Sequence, residues 1–281
     1  MPLNTFAVIP ANKLNYYIFN FYIIKLYLTS IKYGSIPMEI GVIVNATANL
    51  AGKIYNQYKK VVNYNWELKF ETLKVLEEIG IYEIVDPLIE NDISAYAIYM
   101  PSIENFDEKD LELIEKTAMI ADELKSEMLV LPAETGKIDT IFLDKVFELV
   151  SNYKLKLCFD TKHEIANVME IFNILSNYIG GVFYISTTLS ILSKHETMLS
   201  VVEDMHGLLK IIHVGEKDVN LLKKDKSLFT HYYNFIEYLI KKNYVGYLAL
   251  PFSTDDHFII LISNLKYFLK IFKEREFEHV R

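Results

Sequence analysis

The sequence predicts an eight-fold (β/α)8 barrel over residues 38–281, preceded by a short N-terminal extension over 1–37. Three observations carry that prediction. The chain has 281 residues, 51% of them hydrophobic and 23% charged, with only 10 Gly and 7 Pro, which describes a packed globular protein long enough for one barrel. Eight short β-branched or aromatic runs recur along it. Between them lie longer stretches with helical spacing, and that alternation is the mark of βα units on a parallel sheet.

The runs are EIGVIV (39–44), WELKF (66–70), ISAYAIY (93–99), EMLVL (127–131), LKLCF (155–159), VFYIS (182–186), LLKIIHV (208–214) and YVGYLAL (244–250). They start at steps of about 26 to 36 residues, which suits one strand, two loops and one helix per unit. After the third run, Asp107 is placed to cap a helix whose Leu111, Ile114, Ala118, Ala121 and Leu124 share one face. Ile165, Val168, Met169, Phe172 and Leu175 follow the fifth run at helical spacing, and Leu261, Leu265, Phe268, Leu269 and Phe272 follow the eighth. Both sets read as core faces. An open doubly wound sheet is the rival, and the even spacing favours closure.

Residues 13–33 are rich in Tyr, Ile, Phe and Leu, but Asn20 and Lys25 interrupt the run. Its apolar part, Tyr16 to Leu28, falls short of the roughly 20 residues that cross a bilayer, and no A-x-A cleavage site follows. Neither a membrane helix nor a signal peptide is therefore expected. Two readings stay open: an extension outside the working protein, which would start at Met38, or an amphipathic cap over the barrel's bottom or a partner surface. The formal charge of −8 opposes a large phosphate-backbone footprint, so no nucleic-acid partner is expected. A single cysteine, Cys158, leaves no intramolecular disulfide and suits a reducing interior, so the expected compartment is the cytoplasm. No motif speaks to oligomeric state.

Several strand ends resemble the xylose-isomerase-like barrels, which include sugar isomerases, epimerases and endonucleases that nick at abasic sites. WELKF resembles the second strand of that family, IYMPS the third, LVLPAETG the fourth, IIHVGEKD the seventh and YVGYLALPF the eighth. The resemblance implies a divalent metal at the C-terminal mouth, held by five groups on strands five to eight, that polarises a ketose carbonyl while carboxylates move the proton. Carried over residue by residue, Asp160 takes the fifth-strand place and His213 the seventh. Ser186, Leu189 and Pro251 stand where three further ligands would be, and Tyr99 and Leu131 stand where the endonuclease branch has histidines. LCFDTKH (157–163) also resembles the sixth-strand turn, with Asp160 and His163 suitably separated, but even spacing assigns it to strand five.

The expected catalytic residues are Asp160, His213 and Glu67, the last facing the pocket from the second strand. Asp160, His213 and His163 are the expected metal donors, and Tyr99, Lys162 and Glu216 the expected substrate contacts. Each has a plainer reading: Asp160 as a helix cap, His163 on a solvent face, Glu216 as a loop charge, and Glu67 paired with Lys69 or a neighbour in the barrel wall. Cys158 should face the same side as Asp160 and act as a small hydrophobe. The expected cofactor is none, or a weakly bound Mn, Mg or Zn ion. Function then divides between a divergent sugar isomerase or epimerase acting on a small sugar or polyol, and a non-catalytic barrel that binds a ligand or partner at its mouth. An abasic-site endonuclease ranks last.

Overall fold

Eight short runs that favour extended backbone are joined by segments long enough for a crossover, and the computed structural model closes them into one barrel. The structure describes residues 38–103, 106–132, 140–161, 183–189, 207–215, 234, 236–254, 256 and 258–267. The barrel unit runs from Pro37 to Arg281. Its strands are β1 (Met38–Ala46), β2 (Asn65–Phe70), β3 (Ala95–Tyr99), β4 (Met128–Pro132), β5 (Lys156–Asp160), β6 (Phe183–Leu189), β7 (Leu209–Val214) and β8 (Gly246–Pro251). Each start lies within about two residues of the predicted run. Neighbours in sequence are neighbours in the sheet, and β8 pairs parallel with β1, so the sheet is closed as the spacing predicts. LCFDTKH supplies β5, as the even spacing requires.

The helices are α1 (Leu50–Asn56), followed by a 3-10 turn at Tyr58–Lys60, then α2 (Leu73–Glu78), α3 (Ile81–Glu90), α4 (Glu108–Glu123) and α5 (Thr140–Asn152). Residues 236–241 and 258–267 are also helical. Asp107 caps α4 by accepting from the Asp110 amide at 3.1 Å, a contact worth about 1 kcal/mol. Along α4, Leu113, Ile114, Thr117, Ala118, Ile120 and Ala121 are buried, while Leu111 and Leu124 are half-buried. The buried stripe is thus rotated from the predicted face, because Leu113 and Ile120 turn inward beside the expected positions. Leu261 and Leu265 are buried as expected. Phe268, Leu269, Phe272 and the helix expected after β5 lie outside the described residues, as does the N-terminal extension.

Period-two alternation sorts the strand residues into two apolar layers. Val42, Val44, Leu68, Ile98, Leu129, Leu157, Ile212 and Leu248 face outward into the core shared with the helices. Fully burying one such side chain stabilises the fold by about 1.5–3 kcal/mol. Tyr96, Tyr99, Met128, Val130, Cys158, Ile211 and Ala249 fill the interior of the barrel. One irregularity matters for the site. Trp66 pairs with Ala95 but Glu67 pairs with Ala97, so Tyr96 is an extra residue in β3. Its ring lies within the barrel, stacked on Tyr247 at 3.7 Å between centroids. Gly41 makes room for it, because a Cβ there would lie 2.7 Å from Tyr96 Cε1.

Candidate active site

Glu67 and Lys69 lie two apart on β2, so both project toward the barrel interior, Glu67 deep and Lys69 near the C-terminal end. Glu67 is fully buried. An unpaired carboxylate there would cost several kcal/mol, and two groups answer it. Tyr96 donates its hydroxyl to Glu67 Oε2 at 3.0 Å. His213, next to last in β7, places Nε2 at 3.0 Å from Oε1 and 2.9 Å from Oε2. The other imidazole nitrogen, Nδ1, lies 3.8 Å from Asp160 Oδ1, an ion-pair distance and not a hydrogen bond. Asp160 ends β5, accepts the hydroxyl of Tyr99 on Oδ2, and accepts Ser186 Oγ on Oδ1 at 3.2 Å. A continuous row results: Tyr96, Glu67, His213, Asp160, then Tyr99 and Ser186.

The charges in this row set one another. Burial pushes the His213 imidazole down, but the Glu67 charge and hydrogen bond, with Asp160 beyond, outweigh burial and the opposing Lys69 charge. The net result is a pKa above the ordinary 6.5. Burial, and then the adjacent carboxylate, pushes the Tyr99 and Tyr96 hydroxyls up, so both remain donors at neutral pH. Burial and Asp160 likewise push the Cys158 thiol up, which makes it inert as a nucleophile. Cys158 faces the interior on the same side as Asp160. Lys69 holds its ammonium 4.9 Å from the centroid of the Tyr99 ring.

Of the residues the sequence singles out, Glu67, Tyr99, Asp160 and His213 come together in one cluster. Lys162, His163 and Glu216 lie outside the described residues. Glu67 pairs with His213 and Tyr96, not with Lys69. Tyr99 directs its hydroxyl to Asp160, so any substrate contact would come from its ring. Sequence reasoning missed Tyr96 as a donor, because strict alternation along β3 gives no sign of the extra residue. Ser186 was legible only as a missing ligand, and its position opposite Asp160 in the β5–β6 register makes it a donor.

A divalent ion needs several oxygen or imidazole donors turned toward one point. Among the described residues no three His, Cys, Asp or Glu side chains are arranged to hold one. His213 Nε2 faces Glu67, Asp160 accepts two hydroxyls, and Pro251 brings no donor to the end of β8. The described residues therefore do not fit the metal that the family resemblance implies. Nor is any helix among them long and apolar enough to cross a membrane.

No known family's sequence model matches the chain, and no curated protein matches it by sequence. Solved structures do. The 3-keto-D-glucoside 4-epimerase YcjR from E. coli is similar with a TM-score of 0.53 at 14% identity, over 82% of this chain and 98% of that one. A sugar phosphate isomerase/epimerase from Parabacteroides distasonis is similar with a TM-score of 0.53 at 9% identity, over 84% and 95%. A family 2 AP endonuclease from Brucella melitensis gives 0.51 at 10% identity, over 76% and 92%. At these identities the likeness is one of fold, and the shared fold is a closed (β/α)8 barrel.

Proposed function

We propose that this chain is a divergent isomerase or epimerase that moves a proton next to a carbonyl of a small sugar or polyol derivative, without a metal ion. The observation that carries the reading is the buried row Glu67–His213–Asp160 at the C-terminal mouth, where barrels of this architecture place their chemistry. Asp160 is the base, taking the proton from the carbon beside the carbonyl. The electron pair moves onto the carbonyl oxygen, which the protonated His213 stabilises through an N–H. For isomerisation, the hydroxyl proton of the resulting enediolate passes to the former carbonyl oxygen while Asp160 returns its proton to the former carbonyl carbon, so the carbonyl moves to the neighbouring carbon. Epimerisation instead takes a proton from solvent water on the opposite face of the same carbon, and Asp160 releases to solvent the proton it removed. Glu67, fixed by Tyr96, orients the imidazole and favours its protonated form.

The sugar isomerases and epimerases among the similar folds support the substrate class. A second reading, a barrel that binds a ligand without turning it over, is favoured by one observation: Glu67 and His213 already bond to each other. Nucleic-acid cleavage ranks below both, given the charge of −8. Incubating the protein with ketoses, keto-glycosides and sugar phosphates in D2O separates the readings. Proton NMR should show exchange beside the carbonyl of at least one compound, abolished in Asp160→Asn. Binding with no exchange in any compound would leave the ligand-binding reading standing in place of this one.

A further inference from the structure

We infer that Lys69 is the recognition group for an anionic substituent, a phosphate or a carboxylate, on the molecule that enters the barrel mouth; this rests on reading the mouth as the ligand site. Lys69 is next to last in β2, pairs in register with Tyr99 on one side and Asn45 on the other, and is half-buried. Its ammonium sits over the Tyr99 ring. A cation–π contact of this kind is worth about 0.5–1 kcal/mol at exposed sites, which offsets only part of the cost of removing water from an ammonium.

The carboxylates nearest in sequence are committed elsewhere. Glu67 takes His213 and Tyr96, and Glu71 accepts from Asn45 Nδ2 at 2.6 Å. Asp160 lies at the hydroxyl end of the Tyr99 ring, whereas Lys69 lies over its face. By contrast, Lys60, Lys109, Lys145, Lys156 and Lys241 each have a carboxylate within salt-bridge distance. Among the described residues Lys69 forms no ion pair and no hydrogen bond. Its three N–H donors thus have no partner among the described residues, beside the row proposed to carry the chemistry. An anionic oxygen is the partner that satisfies them, and such a contact fixes the end of a sugar away from the reacting carbon.

The test is calorimetric titration of the full chain with D-glucose 6-phosphate, D-glucuronate and D-glucose at fixed ionic strength. One of the two anionic probes should bind at least about tenfold more tightly than glucose, and which one does so separates phosphate from carboxylate recognition. Lys69→Met and Lys69→Gln, each checked for an unchanged circular dichroism melt, should lose that preference, and Lys69→Arg should keep it. Equal binding of charged and uncharged probes, no binding by any probe, or a preference that survives in both neutral variants would overturn the inference. Failure of the D2O exchange with anion preference intact would remove the catalytic reading alone. Exchange of an uncharged sugar with no anion preference would remove this one alone.

Discussion

Glu67→Gln removes a charge from the centre of the row while keeping its shape, and its effect on His213 can be worked through with signs. In the wild type the folded-state pKa of His213 lies above 6.5, so the folded state binds its proton more tightly than the unfolded state does. Stability from this source is fully present below about pH 6.5 and is lost as pH rises through the folded-state pKa. Burial is the largest single influence on this histidine and Glu67 the next. With Glu67 uncharged, the largest influence that raises the imidazole is lost and its pKa falls, so the variant gains less stability from protonating His213 than the wild type does. Each unit of displacement is worth about 1.36 kcal/mol. The gap between wild type and variant should therefore be widest on the acid side and narrow as pH rises. Glu67→Ala, which also strands the Tyr96 hydroxyl and the imidazole, should cost about 3–5 kcal/mol. Urea unfolding from pH 5.5 to 8.5, with NMR titration of the His213 ring proton, measures both quantities. A wild-type His213 that titrates below 6.5, or a gap between wild type and Glu67→Gln that does not change with pH, would refute the argument.

Two further outcomes follow from the interior of the barrel. Gly41→Ala should destabilise the fold by about 1–3 kcal/mol, because the new methyl would lie 2.7 Å from Tyr96 Cε1 and 2.8 Å from its hydroxyl while Tyr247 blocks retreat; urea midpoints decide it, and an unchanged midpoint contradicts the placement of Tyr96. Cys158, fully buried with its thiol pushed up, should resist thiol reagents in native buffer and react only as denaturant unfolds the chain, so stoichiometric labelling within seconds of mixing would show that the interior is open.

The fold was legible because its signals are local: each strand announces itself by β-branched and aromatic residues, and eight even repeats leave closure as the simplest arrangement. The site was legible where a residue ends or nearly ends a strand, as Tyr99, Asp160 and His213 do, whereas Glu67, third in β2, could be named only through the resemblance of WELKF to the family's second strand. Their pairing could not, since Glu67 and His213 are 146 residues apart and meet only across the closed barrel. Tyr96 was hidden by the extra residue in β3, which breaks the alternation that sequence reading relies on.

The positions that read as losses in the sequence have a positive meaning in the structure. Tyr99 and Ser186 stand where the resemblance places a histidine and an aspartate, and an ion bound there would have balanced the Asp160 carboxylate. An uncompensated buried carboxylate at Asp160 would cost several kcal/mol. Both replacements carry hydroxyls, and both donate to Asp160. His213 meets Glu67 by a similar exchange, with Nε2 bonded to a carboxylate that Tyr96 also supports. Here three hydroxyls and an imidazole take over the compensation of two carboxylates. The row is therefore a coherent polar site in its own right, held by hydrogen bonds and charge pairing.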